Sequence, residues 1–180
     1  AENYTVDLGG LSANGQAVTI LDGQGLGTIN DLTTATLSID DVAVNEDAGT
    51  AVFTVTMSAL VQNNITVSYT TTDGTAQQPG DYTTASGTLT FGGANPLTQT
   101  ITVPILNSAA IVEPAENYTV DLSGLLTNGQ TVTILDGQGL GTINDLTTAT
   151  LSIDDVAVNE DAGTAVFTVT MSALVQNNLT

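Results

Sequence analysis

The sequence predicts an all-β chain made of β-sandwich repeats. Three observations carry that reading: short segments in which β-branched and small polar residues alternate, turn-forming dipeptides between them, and an internal duplication of domain size.

The duplication sets the frame. Residues 1–66 recur as residues 115–180, a period of 114, and only five positions differ: Gly9/Ser123, Ser12/Leu126, Ala13/Thr127, Ala17/Thr131 and Ile65/Leu179. A period this long does not suit a solenoid unit and fits one globular domain per repeat. The turn-rich stretch Asn30-Asp31-Leu32-Thr33-Thr34, repeated at 144–148, reads as the linker. On that boundary residues 1–34 are the C-terminal part of one repeat, 35–148 a complete sandwich and 149–180 the N-terminal part of the next. The second choice places the linker at Ile111-Val112-Glu113-Pro114.

Alternation marks half-buried strands at 50–57, 65–71, 86–91, 98–105 and 117–122. Between them lie the turn signals Asp73-Gly74, Pro79-Gly80-Asp81, Gly92-Gly93, Asn128-Gly129 and Asp136-Gly137. About seven short strands at this spacing within one repeat predict a β-sandwich. No capping box precedes an amphipathic run, so no helix is expected. Aromatic residues make up 4% of the chain, which leaves a core of Val, Ile and Leu with Phe53, Tyr69, Phe91 and Tyr118.

Charge is the most informative part of the composition. All 19 charged residues are Asp or Glu, with no Lys, Arg or His, giving a net charge of −19. Polyanionic partners recruit Lys and Arg, so neither nucleic acid nor an anionic membrane surface is expected as a partner, and no membrane insertion is expected either. No apolar run reaches the roughly 18 residues of a membrane-spanning helix. No signal peptide is visible, and the chain reads as the interior of a longer exported one. With no Cys there are no disulfides and no thiolate metal sites. Carboxylates that cluster on folding must be hydrogen-bonded, protonated or neutralised from outside the chain, and a metal cation is the simplest neutraliser.

Two constellations place carboxylates in connections. Residues 44–49, Val-Asn-Glu-Asp-Ala-Gly, set Glu46 beside Asp47 between the first two strands; a solvated turn is the plainer reading of the pair. Residues 71–82 leave a strand through Asp73-Gly74 and re-enter the sheet near Asp81-Tyr82. The glycine-rich stretch 136–141 matches neither a nucleotide-binding loop nor a calcium-binding nonapeptide and reads as a hairpin turn.

The pattern DGTAxxxxDY from Asp73 to Tyr82, followed by SGTLTF at 86–91, TITVPI at 100–105, ExxENYTVDLS at 113–123 and Gly-Thr-Ile-Asn-Asp at 141–145, resembles a Calx-beta domain over residues 37–145. The resemblance implies a seven-stranded immunoglobulin-like β-sandwich that binds calcium at one pole. Carried over position by position, the ligands it implies are Glu46, Asp73, Glu113, Glu116 and Asp145. Oxygen-only ligands of this kind suit Ca²⁺. Asn107-Ser108-Ala109-Ala110 stands where the family has an acidic run, and the terminal acidic tip is reduced to Asn144-Asp145-Leu146, so one or two ions are expected. The pair Asp154-Asp155, a copy of Asp40-Asp41, either reaches back to the pole carrying Asp145 as a bridging metal site or is a bulge or edge-protecting charge on a first strand.

Repeats of this type resemble the extender regions of large bacterial adhesins of the RTX type. The expected function is a calcium-stabilised spacer of a secreted protein at a bacterial surface, with neighbouring repeats end to end as partners and no small-molecule substrate. A ligand-binding sandwich for carbohydrate, ice or a protein is the alternative. Catalysis is not expected: His, Cys and Lys are absent, and a glycosidase-like carboxylate pair would lack aromatic platforms in a chain with no Trp, three Phe and four Tyr.

Overall fold

The computed structural model describes residues 2–30, 34–107 and 111–180. Asp31, Leu32 and Thr33 of the expected linker, and Ser108, Ala109 and Ala110 of the segment lacking acidic residues, lie outside the described residues. The chain forms two compact units, Ala1–Thr33 and Thr34–Thr180.

The first unit is a hairpin of β1 (Glu2–Asp7) and β2 (Gln24–Ile29), antiparallel with Glu2 opposite Ile29. Its strand residues are exposed or nearly so, Tyr4 at 54%.

The second unit holds a sandwich of nine strands. These are β3 (Thr34–Ile39), β4 (Val42–Asn45), β5 (Thr50–Met57), β6 (Ile65–Asp73), β7 (Ser86–Phe91), β8 (Thr98–Pro104), β10 (Glu116–Leu126), β11 (Thr131–Ile134) and β12 (Gln138–Asn144). A two-residue strand, β9 (Ile111–Val112), precedes β10 outside the two main sheets. One sheet runs β4-β12-β10-β6-β7 and the other β11-β3-β5-β8. Among the described residues the only helical piece is a 3₁₀ turn at Glu46–Ala48.

Alternation decides which residues face inward. On β5 the buried positions are Ala51, Phe53, Val55 and Met57; on β10 they are Glu116, Tyr118, Val120 and Leu122. The two inner faces meet in one core, with Phe53 of one sheet edge-on to Tyr118 of the other at 6.1 Å between ring centroids.

The expected seven strands become nine because the first and last each break and change sheet. The first breaks at Asp40-Asp41, between β3 and β4. There the Asp40 carboxylate accepts the Thr54 backbone N–H at 2.6 Å and Asp41 accepts that of Leu140 at 2.7 Å, so side chains satisfy donors where the ladder is interrupted. The last breaks around Asp136-Gly137, between β11 and β12. Both halves then pair in parallel, β3 with β11 and β4 with β12.

The glycine-rich stretch is therefore only partly a turn. Gly139 and Gly141 lie within β12. A Cβ on Gly141 would stand 2.4 Å from the Tyr118 ring, so the ring's place in the core requires the missing side chain. The aromatic core also differs: Tyr82 is buried, whereas Tyr69 is only partly so.

The remainder of the second unit consists of β13 (Leu151–Ile153), β14 (Val169–Met171) and β15 (Leu174–Val175). β13 and β14 pair with Leu151 opposite Met171, the register of Leu37 and Met57 carried forward by one period. The β1–β2 register likewise matches that of β10 and β12, where Glu116 faces Ile143.

Candidate metal centre

Carboxylates from four connections converge at one pole of the sandwich. Glu46 starts the 3₁₀ turn after β4, Asp81 sits in the loop after β6, Glu113 and Glu116 flank the entry to β10, and Asp145 follows β12. All five line a cavity of about 10 Å³ whose wall is completed by Leu106, Pro114 and Ile143. That volume suits a single water-sized occupant.

Local structure fixes each side chain. Alternation along β10 turns Glu116 to the same side as Tyr118 and Val120, which buries it to 7% exposure. The 3₁₀ turn ends at Gly49 with φ 73°, and its first residue, Glu46, is buried to 4%. Asp81 precedes Tyr82, whose ring enters the core and which bridges Ile105, while the Asp81 carbonyl accepts the Leu106 N–H at 2.9 Å. Asp145 accepts backbone N–H groups from Glu113 at 2.6 Å and Thr147 at 2.5 Å.

The electrostatics are those of crowded like charges. Oxygens of Asp81, Glu113 and Glu116 all lie within 4.8 Å of one another. Two full negative charges at that spacing repel by roughly 3 kcal/mol at an effective dielectric constant of about 20. Burial pushes the Glu116 carboxyl above its ordinary range; a hydrogen bond from Gln176 opposes the shift, and Asp81 and Glu113 reinforce it. Asp145 moves the other way: burial would raise it, but the donors Glu113 N–H and Thr147 N–H, with the Glu46 carboxyl, outweigh that and lower it. With no Lys, Arg or His in the chain, relief comes from shared protons, neutral hydrogen-bond donors or an external cation. The oxygen-only donor set, the small cavity and the absence of competing cations fit a hard divalent ion.

Glu46, Glu113, Glu116 and Asp145 are brought together here. Asp73 is placed differently: its Oδ1 accepts the Tyr82 hydroxyl and, at 3.2 Å, the Gln78 N–H, so it braces the loop that carries Asp81. Asp154 and Asp155 are exposed beside β13, where Asp154 accepts the Thr168 N–H at 2.7 Å, as Asp40 does from Thr54 in the first copy. Asp81 belongs to the cluster and was not among the ligands expected from the resemblance. The signal for it is its place before an aromatic residue that must enter the core, which turns the neighbouring carboxylate toward the rim.

Structural comparison finds similar solved domains. The apo-form Calx CBD1 domain superposes with a TM-score of 0.57 at 20% identity, covering 63% of this chain and 98% of that one. The CBD12 structure from CALX1.2 gives 0.55 at 20% identity, covering 61% of this chain and 45% of that one. The calcium binding domain CBD12 of CALX1.1 gives 0.54 at 19% identity, covering 61% and 44%. The chain thus spans under half the length of these two CBD12 structures. No curated protein matches the chain by sequence. A model of the Calx-beta domain matches residues 28–147, which takes in both sheets of the sandwich and all five carboxylates of the pole, and the chain belongs to the Calx-beta domain family.

Proposed function

We propose that this chain is a calcium-stabilised spacer, an extender repeat of a secreted bacterial surface adhesin that stiffens a rod carrying a distal binding domain. The observation that carries the reading is the convergence of Glu46, Asp81, Glu113, Glu116 and Asp145 on one small cavity in a chain with no cationic side chain. These five residues are the ones that would hold the ion, and a bound Ca²⁺ would supply the positive charge their mutual repulsion lacks. The structural neighbours support the choice of ion, since one of them is itself described as a calcium binding domain. The near-identity of residues 1–66 and 115–180 supports the spacer role, because a binding site needs one copy whereas a rod is built from uniform units.

The chain's own part is to hold carboxylates from separate loops at one end of a rigid sandwich. Binding to the folded state alone stabilises it by about 2.7 kcal/mol per site at a hundredfold excess over Kd. The end near Glu113 and Asp145 is also where the chain leaves for residues 149–180, so neutralising this pole firms the exit toward the next repeat. Calorimetry in EDTA and again in millimolar calcium tests the reading. A melting temperature that rises with calcium in the wild type, and much less in Asp81→Asn or Glu116→Gln, supports it. A melting temperature indifferent to calcium overturns it and leaves the ligand-binding sandwich as the working alternative.

A further inference from the structure

Beyond the sandwich the chain returns to its acidic pole. β15 lies parallel to β9, with Leu174 opposite Ile111 and Val175 opposite Val112. Gln176 then donates its backbone N–H to the Val112 carbonyl at 2.9 Å and its side-chain Nε2 to Glu116 Oε1, also at 2.9 Å. The same Leu-Val-Gln tripeptide at 60–62 behaves otherwise: Val61 is buried in the core, and its carbonyl accepts the Gly93 N–H at 3.0 Å. The tripeptide's own preferences therefore do not dictate the pairing with β9.

We infer that residues 174–176 form a strap over the pocket and that Gln176 supplies a neutral oxygen ligand to the ion bound there. The inference rests on reading the pocket as a calcium site and adds a ligand from outside the residues matched to the family, 28–147. β9 ends at Val112, next to Glu113, so the backbone bond from Gln176 anchors its side chain beside the carboxylate cluster. A carboxamide carries donors on nitrogen and an acceptor on oxygen, related by a half-turn of the terminal torsion, which is soft. Without an ion the donor side meets the Glu116 carboxylate in a charge-assisted bond. With an ion bound, the half-turned amide presents its carbonyl oxygen while the strap stays in place. Calcium takes six to eight oxygens, and a neutral one adds a ligand without adding repulsion to five carboxylates.

Calcium titration calorimetry on the full chain tests this, comparing wild type with Gln176→Ala, Gln176→Glu and, as a pocket control, Glu116→Gln. Gln176 is exposed, so its variants leave the sandwich core intact. Gln176→Ala is expected to weaken affinity roughly five- to tenfold and Gln176→Glu to restore it. Hydrogen exchange of the Gln176 backbone N–H in the wild type is expected to slow on adding calcium. If the wild type binds and Glu116→Gln weakens binding, but both Gln176 variants match the wild type or bind more tightly, the strap is not part of the site and the inference falls alone. If the wild type binds no calcium, the reading of the pocket falls and takes the strap with it.

Discussion

Tyr118 stacks on Tyr82, ring centroids 4.5 Å apart and planes inclined by 18°, and the pair ties two carboxylates together. Tyr118 stands two residues beyond Glu116 on the same face of β10, and Tyr82 directly follows Asp81. The stack is thus the hydrophobic clasp behind the acidic pole. Truncating it by Tyr82→Ala is expected to cost about 3–5 kcal/mol in denaturant unfolding and to weaken calcium binding as the Asp81 loop loosens. Tyr82→Phe keeps the stack and loses the hydroxyl's hydrogen bonds with Asp73 and Thr71, about 1–2 kcal/mol, with calcium affinity near that of the wild type.

Asp73 braces the loop without joining the acidic trio, whereas Asp81 belongs to the trio and also accepts the Gln77 backbone N–H at 2.6 Å. Asp73→Asn is expected to lower stability in EDTA by about 1–2 kcal/mol, because it weakens the acceptor of the Tyr82 hydroxyl. Asp81→Asn removes a negative charge from the crowded trio and is expected to weaken calcium binding by about tenfold or more. Calorimetry of both variants with and without calcium reads the two effects apart.

Glu116 gives the calcium-free protein a distinctive pH dependence. Its pKa is raised from an ordinary 4.5 by burial first, with Asp81 and Glu113 adding to the shift and Gln176 opposing it. Between the ordinary and the raised pKa the folded chain holds a proton that the unfolded chain has released, so the contribution of Glu116 to stability is fully present below about 4.5 and is lost as pH rises through its folded pKa. Melting temperatures in EDTA should decline over that window, and Glu116→Gln, neutral throughout, should flatten the decline. With calcium bound the trend reverses, since the ligands must be deprotonated to bind.

Gly141 and Gly27 are the same residue in two settings, and their alanine variants should part company. At Gly141 a Cβ would stand 2.4 Å from the fully buried Tyr118 ring, and Gly141→Ala is expected to cost about 1–3 kcal/mol or more. At Gly27 a Cβ would stand 2.3 Å from the Tyr4 ring, but that ring is half exposed and can swing aside. Gly27→Ala should leave the main unfolding transition unmoved, which a denaturant melt of each variant checks.

Much of the sandwich was legible because its signals are local. Alternation located β5, β6, β7 and β8 almost to the residue, and the duplication read in the sequence is matched by the common register of β1–β2 and β10–β12. What escaped depends on contacts distant in sequence. Asp40-Asp41 could be read as an edge or bulge, but its use in moving a strand between sheets depends on N–H groups of Thr54 and Leu140. Four of the pole's carboxylates followed from the family resemblance. Asp81 did not, because its membership is decided by where Tyr82 packs, and Asp73 differs because the Tyr82 hydroxyl draws on it. Gln176 carries no sequence signal as a site residue at all, since the same tripeptide at 60–62 serves a core.

The parallel pairing of β4 with β12 and of β3 with β11 has a mechanical meaning. The segments where the chain enters and leaves the sandwich lie side by side and point the same way. A pull along the chain drags them in opposite directions along their shared ladders, so the hydrogen bonds of each ladder are strained together rather than peeled off one after another. Shear of that kind resists extension far better than unzipping does. Such a domain transmits tension along the chain while keeping its shape.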